Sequence, residues 1–152
     1  MPSYLWQNFL KDFKYCKLIF DKIISYQKQL NFLDLIEIWP GKWAITKFLV
    51  NRFDRIVLFE KDKSFWQILE WLLQTDKQKI VWGDVLQADL SEFDKTKTFV
   101  FGNIPYYITS PIFRKFFVEN NFIWWFFLIQ KEVWEKIRTD ATKKSYLWRL
   151  LN

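Results

Sequence analysis

The sequence predicts an α/β domain built on a mostly parallel, doubly wound sheet. Short segments rich in β-branched and aromatic residues alternate along the chain with segments of helical periodicity. The 152 residues are 51% hydrophobic and 26% charged, which is enough apolar material for one core. Because strands that alternate with helices form parallel sheets covered on both faces, we expect a single domain over residues 1–152.

An amphipathic helix over residues 10–28 is predicted to open the domain, since its apolar residues recur at helical spacing among lysines. The predicted strands that follow cover residues 33–38, 55–60, 79–84, 98–103 and 125–129. The predicted helices between them cover residues 44–52, 64–74 and 110–119.

Composition excludes several kinds of chemistry. The chain has one cysteine, Cys16, and no histidine, which excludes an internal disulfide, histidine general-base catalysis and metal sites that need histidine or clustered cysteines. We therefore expect no metal.

The net charge of +6 favours a polyanionic partner such as nucleic acid. The longest apolar run, residues 122–129, is too short to span a bilayer, and the N-terminus lacks signal-peptide features. A cytoplasmic location is expected.

Tryptophan and glycine occur in unusual numbers. The chain has ten tryptophans and three glycines, although glycine usually makes up about 7% of a protein. Some bacterial lineages read the codon UGA as glycine, and a translation that reads it as tryptophan would produce this balance. The alternative is a protein that is truly rich in tryptophan and uses these side chains in its core.

The turn after the first strand is the first candidate ligand site, because doubly wound sheets bind ligands at the carboxyl ends of their strands. Residues 37–43 read E-I-W-P-G-K-W, with Gly41 between two tryptophans. If Trp39 and Trp43 are glycines, the loop becomes E-I-G-P-G-K-G and its backbone can closely approach a nucleoside-like ligand. As written, two indoles would crowd the loop.

Acidic residues end the second and third strands. Glu60 follows the loop by about 20 residues, where a carboxylate can accept hydrogen bonds from ribose hydroxyls. Asp84, in the segment G-D-V-L, could accept a hydrogen bond from an adenine amino group. Taken alone, either residue is equally well explained as a solvated charge at the end of a strand.

The fourth strand ends in the most specific segment, F-G-N-I-P-Y-Y at residues 101–107. It matches the N-x-P-Y motif of amino-methyltransferases. The amine of adenine is a poor nucleophile and needs acceptors that orient it, which the Asn103 side chain and the Ile104 carbonyl could supply. Tyr106 can stack on a base turned out of its helix. The alternative is an ordinary β-turn with a packed aromatic ring.

These motifs, with Q-N-F-L at residues 7–10, together resemble the KsgA-type small-subunit rRNA adenine dimethyltransferases, and their order and spacing agree throughout. Q-K-E-V at residues 130–133 is closer to this family than to the erythromycin-resistance 23S rRNA methyltransferases. The resemblance implies a Rossmann-like class I methyltransferase fold, with S-adenosyl-L-methionine as the cofactor.

The resemblance also implies site residues and partners. The cofactor contacts would be Asn8, Leu10, Trp39, Gly41, Glu60, Asp84 and Asn103. The residues acting on the target adenine would be Asn103, Ile104, Pro105 and Tyr106. A monomeric enzyme of this kind would dimethylate N6 of two adjacent adenosines near the 3′ end of small-subunit rRNA, in the pre-30S particle.

The chain departs from the family in two ways. Trp6, Trp39 and Trp43 stand where the family has glycine, and Trp134 and Trp148 are further candidates for recoding. The family also continues with further strands, an F-x-P-x-P segment and a helical RNA-binding domain, which we expect to be absent here. The alternatives to the leading function are 23S rRNA methylation and a non-catalytic ribosome-assembly factor.

Overall fold

A computed structural model describes residues 13–129 and Glu135. Its core is a sheet of five parallel strands in the order β3-β2-β1-β4-β5. The strands are β1 (Asp34–Ile38), β2 (Arg55–Glu60), β3 (Gln78–Trp82), β4 (Thr98–Ile104) and β5 (Trp124–Ile129). The predicted parallel sheet is confirmed, and each strand begins within one residue of its expected start.

Within residues 13–129, four helices accompany the sheet: α1 (Phe13–Leu30), α2 (Thr46–Leu49), α3 (Trp66–Leu72) and α4 (Thr109–Phe113). A 3-10 turn over Lys63–Phe65 leads into α3, and α4 continues as a π-helical turn over Arg114–Glu119. The prediction of a helix over residues 44–52 is wrong in extent. Residues 44–45 and 50–52 form turns, because the Phe48 N–H donates to the Ile45 carbonyl and the Arg52 N–H to the Leu49 carbonyl, three residues back instead of four.

Side chains alternate between the two faces of the sheet, as expected for parallel strands. Leu35 and Leu58 face one buried cluster, which α1, α2 and α3 cover. Ile36 and Val57 face a second cluster, which α4 and the connection after β3 cover. Because both faces are buried beneath other elements, the sheet is doubly wound.

The chain reverses its direction of travel across the sheet between β1 and β4. From β1 it moves outwards to β2 and β3, then crosses back to β4 and continues to β5. Gly102 of β4 lies opposite Ile38 of β1, and a Cβ at Gly102 would stand 3.2 Å from the Ile38 backbone oxygen. The absence of a side chain thus lets these two strand ends approach closely at the point where such folds bind ligands.

The predicted residues Trp6, Asn8, Leu10, Trp134 and Trp148, together with the Q-K-E-V segment at 130–133, lie outside the described residues. Within the part of the chain that is described, no helix is both long and apolar enough to cross a membrane.

Candidate active site at the carboxyl edge of the sheet

The carboxyl ends of four adjacent strands bring most of the predicted site residues to one edge. The residues gathered there are Trp39, Gly41, Glu60, Asp84, Asn103, Ile104, Pro105 and Tyr106. Hydrogen bonds extend the pairing beyond the strands, since the Trp39 N–H donates to the Phe59 carbonyl at 2.8 Å and the Gly83 N–H to the Glu60 carbonyl at 2.9 Å. The loops therefore leave the sheet in fixed directions.

Glu60 holds the loop after β1. Its Oε2 accepts a hydrogen bond from the Gly41 N–H at 3.1 Å, and its Oε1 accepts from the N–H groups of Lys61 and Asp62, both at 2.8 Å. Burial raises the pKa of Glu60, and these backbone hydrogen bonds oppose that rise. A carboxylate has about four acceptor positions, so one position remains on Oε2.

Asp84 uses one oxygen for the backbone and leaves the other near solvent. Its Oδ1 accepts from the Leu86 N–H at 3.0 Å, which caps the short turn over Val85–Gln87. Its Oδ2 lies 3.6 Å from the exposed Lys61 Nζ. The second oxygen is thus directed towards the end of β2 and is able to accept a ligand donor in place of the ammonium group.

The N-I-P-Y segment forms a firm, outward-facing turn. Asn103 is exposed at the end of an otherwise buried strand, whereas Ile104 is 1% exposed and anchors the segment in the core. The Pro105 carbonyl accepts from the Thr109 hydroxyl at 3.1 Å, which ties the turn to α4. Tyr106 is 47% exposed. An amide and an aromatic ring are thus presented side by side to solvent.

Glu37, within β1, is a buried carboxyl that sequence reasoning missed. It is 3% exposed, and its Oε1 accepts from the Thr46 hydroxyl at 3.0 Å. Its Oε2 is buried without a hydrogen-bond partner among the described residues. Burial raises the pKa of Glu37 to about 8, so the group is largely protonated at neutral pH. A single charged residue inside the apolar run L-I-E-I was the available signal.

Comparison with protein families matches residues 3–148 to the family described as ribosomal RNA adenine dimethylase. The chain belongs to this family. The resemblance seen in the sequence motifs is therefore confirmed over nearly the whole chain.

Individual relatives of this dimethylase-family chain agree with the assignment. It is 36% identical to ribosomal RNA small subunit methyltransferase A of Mycoplasma mycoides, over 95% of this chain and 54% of the relative. The protein of the same name from Fusobacterium nucleatum is 35% identical, over 91% of this chain and 52% of the relative. The chain thus spans about half the length of the curated relatives it matches.

A solved structure with the same fold is the 23S rRNA methyltransferase ErmE. It superposes with a TM-score of 0.64 at 25% identity, over 88% of this chain and 52% of that one. The expected Rossmann-like methyltransferase fold is confirmed by this likeness and by the parallel sheet.

The backbone conformation of Trp39 and Trp43, in the loop after β1, is unusual for tryptophan. Trp39 has a φ of 56° and Trp43 a φ of 58°, and Gly41 between them has a φ of 56°. The other non-glycine residues with positive φ in the described ranges are Asn31 and Asn121, and asparagine tolerates this region. For tryptophan it costs on the order of 1 kcal/mol or more per residue. Both indoles therefore stand on backbone that favours glycine.

The rings of Trp39 and Trp43 make different contacts from the ring of Trp124. Trp43 lies beside Trp71, with ring centroids 6.4 Å apart, and Trp39 is only partly buried against the second core cluster. Trp124 lies in extended backbone, its Nε1–H donates to the Thr96 carbonyl at 3.1 Å, and its ring is 5.5 Å from Phe32. Trp43 and Trp124 both pack against the first core cluster, but Trp124 combines ordinary strand backbone with a hydrogen bond from its indole.

We predict that positions 39 and 43 carry glycine in the natural protein and that their codons are UGA. Tandem mass spectrometry of peptides from the protein purified from its own source measures this directly. Trp124 is the matched control and should be read as tryptophan from UGG. Codons UGG at positions 39 and 43 would contradict the recoding hypothesis.

The substitution Glu37→Gln should change how stability depends on pH. With a folded pKa of about 8 against an ordinary value of 4.5, the folded state binds more protons than the unfolded state between these values. The free energy of unfolding of the wild type therefore falls as pH rises through this window. Glutamine has the same shape and no charge, so the variant should be more stable at pH 8 by on the order of a few kcal/mol.

Urea denaturation at pH 5 and pH 8 measures this effect, and the two proteins should differ little at pH 5. Glu70→Gln, on the exposed side of α3, is the control and should follow the wild type. If Glu37→Gln loses as much stability between the two pH values as the wild type does, Glu37 is not the responsible group.

Proposed function

We propose that the protein is an rRNA adenine N6-dimethyltransferase that uses S-adenosyl-L-methionine and acts on adjacent adenosines near the 3′ end of small-subunit rRNA. The observation that carries this proposal is the exposed N-I-P-Y turn, which lies beside the loop after β1 at the switch in strand order. It occurs in a chain of the ribosomal RNA adenine dimethylase family.

The residues at the carboxyl edge offer S-adenosylmethionine suitable partners. The open acceptor position on Glu60 Oε2 suits a ribose hydroxyl. Asp84 Oδ2 suits an adenine amino group, because only an exposed lysine has to move away from it. Positive φ at residues 39, 41 and 43 suits glycine, and glycine at these positions would leave the loop without side chains and open to close approach by the methionine portion. The side chains of Trp39 and Trp43, as the sequence gives them, do not fit a bound S-adenosylmethionine.

Catalysis is proposed to rest on orientation of the acceptor base. S-adenosylmethionine supplies an electrophilic methyl group on its sulfonium. The Asn103 side-chain oxygen and the Ile104 carbonyl would accept hydrogen bonds from adenine N6, which turns its lone pair towards that methyl group. Tyr106, with its ring 47% exposed, would stack on the base. Positioning of this kind can supply much of the rate enhancement without a covalent intermediate.

The proposed substrate is small-subunit rRNA within its precursor particle, bound by a monomer in the cytoplasm. The net charge of +6 supports an RNA partner. Both curated relatives described above are named small subunit methyltransferases and are about 35% identical, against 25% for ErmE, whose name specifies 23S rRNA. Methylation of 23S rRNA is therefore the second candidate. A non-catalytic assembly factor would bind RNA but not the cofactor.

We predict that the chain as written binds S-adenosylmethionine poorly and that the double change Trp39→Gly and Trp43→Gly restores binding. Removing two bulky side chains from the loop should raise affinity about a hundredfold, since each 1.4 kcal/mol is about tenfold. The backbone strain is already present without the cofactor, so its release should raise the free energy of unfolding. Isothermal titration of both proteins measures this, with Trp66→Ala, a half-exposed tryptophan at the start of α3, as a control that should not gain affinity. Equal affinities would show that the loop after β1 does not contact the cofactor.

The change Asn103→Ala should leave S-adenosylmethionine binding largely intact and remove methyl transfer, because the side chain's main proposed role is to orient adenine N6. Transfer of labelled methyl groups to small-subunit rRNA, measured beside cofactor titration, separates the two effects. Gln87→Ala, exposed in the turn after β3, should behave as the wild type in both assays. Unchanged turnover of the Asn103 variant would exclude the orienting role.

A further inference from the structure

We propose that Tyr107 is a second stacking surface, which holds the nucleotide next to the target adenine. This inference rests on the proposed function of the N-I-P-Y turn and adds a residue to which no role has been given. Tyr107 directly follows Tyr106 in the 3-10 turn over Tyr106–Ile108.

The geometry of the two rings assigns them to different bases. Their centroids are 5.9 Å apart and their planes meet at 89°. A base stacked on Tyr106 lies parallel to that ring and therefore perpendicular to the ring of Tyr107. One flat base cannot stack on both rings, so any base that stacks on Tyr107 is a different one from the base on Tyr106.

Exposure argues that Tyr107 is more than a support for Tyr106. The Tyr107 side chain is 59% exposed, which is more than Tyr106 at 47%. A ring that served only to hold its neighbour would be expected to bury most of its apolar surface, because an exposed aromatic face forgoes hydrophobic stabilisation. Two adjacent exposed rings beside a predicted base-binding turn indicate a surface for a ligand with more than one aromatic group.

The backbone that carries both rings is held in place before any ligand arrives. The Pro105 carbonyl accepts from the Ile108 N–H at 3.3 Å and from the Thr109 hydroxyl at 3.1 Å. These bonds join both ends of the turn, so little backbone order has to be gained on binding.

The group that would stack on Tyr107 follows from the structure of RNA around the target adenine. When one base is turned out of its stack, the neighbouring nucleotide loses a stacking partner. An aromatic side chain can replace that partner, as proteins that bind single-stranded RNA commonly do. Tyr107 would therefore stack on the nucleotide flanking the target, and the right angle between the rings would keep the two bases splayed apart.

The test compares three fluorescently labelled single-stranded RNA heptamers by anisotropy titration with the full chain. The first has a central adenosine, the second lacks the base on one side of that adenosine, and the third lacks the base on the other side. The protein variants are Tyr107→Leu, Tyr107→Phe and Tyr106→Leu, each checked by circular dichroism for retained fold.

For the wild type, loss of one of the two flanking bases should weaken binding at least fivefold, in line with the usual contribution of one stacked base. Tyr107→Leu should bind the intact heptamer about as weakly as the wild type binds that abasic heptamer, with little further loss when the base is removed. Tyr107→Phe keeps the ring and should resemble the wild type. Tyr106→Leu should remain sensitive to the flanking base.

Three results would overturn the inference. They are wild-type binding that is insensitive to both flanking bases, Tyr107→Leu binding equal to the wild type, and a Tyr107→Leu protein that keeps full sensitivity to the flanking base. The last result would assign Tyr107 to support of Tyr106. Failure of the proposed function is seen separately, as an absence of methyl transfer to small-subunit rRNA by the wild type, whatever the heptamer binding shows.

Discussion

The candidate site depends on one buried carboxylate. Glu60 ends β2 and takes hydrogen bonds from the backbone N–H groups of Gly41, Lys61 and Asp62. A buried charge without such partners would be strongly unfavourable, so the loop after β1 and the start of the next turn are held together around it. The loop in turn lies beside the end of β4, because Gly102 allows close approach to Ile38. Loss of the Glu60 contacts would release Gly41 from the end of β2, whereas the pairing of β1 with β4 would still hold the start of the loop beside the N-I-P-Y turn.

Much of the fold could be predicted from the sequence because strand-forming segments and turn residues mark the parallel strands clearly. The strand over Arg55–Glu60 was predicted with both its ends correct. Helix extent was less predictable, since the periodicity of residues 44–52 does not reveal that hydrogen bonds at the two ends of α2 span three residues instead of four. Nor does periodicity distinguish the α-helix at Thr109–Phe113 from the π-helical turn that follows it.

For the candidate site, the sequence predicted which residue types lie at the strand ends, but it did not predict the hydrogen bonds that these residues make. The sequence indicated that Glu60 and Asp84 end the second and third strands along the chain, and the structure brings them to one edge with Asn103. It did not indicate that Glu60 already holds three backbone donors, because such bonds depend on how the loops turn. Glu37 was missed because a carboxyl in an apolar strand becomes visible as buried only once Thr46 and the covering helices are placed above it.

Because of the ion pair between Lys61 and Asp84, binding of S-adenosylmethionine would respond to ionic strength in the opposite sense to binding of RNA. The pair is separated by 3.6 Å and the lysine is 67% exposed, so dissolved salt weakens it readily. If Asp84 receives an adenine amino group, that ligand has to displace the ammonium group, and added salt would ease its entry. RNA held by lysines and arginines behaves in the reverse way, because its binding falls as salt rises. A moderate salt concentration would then suit occupancy of both sites at once.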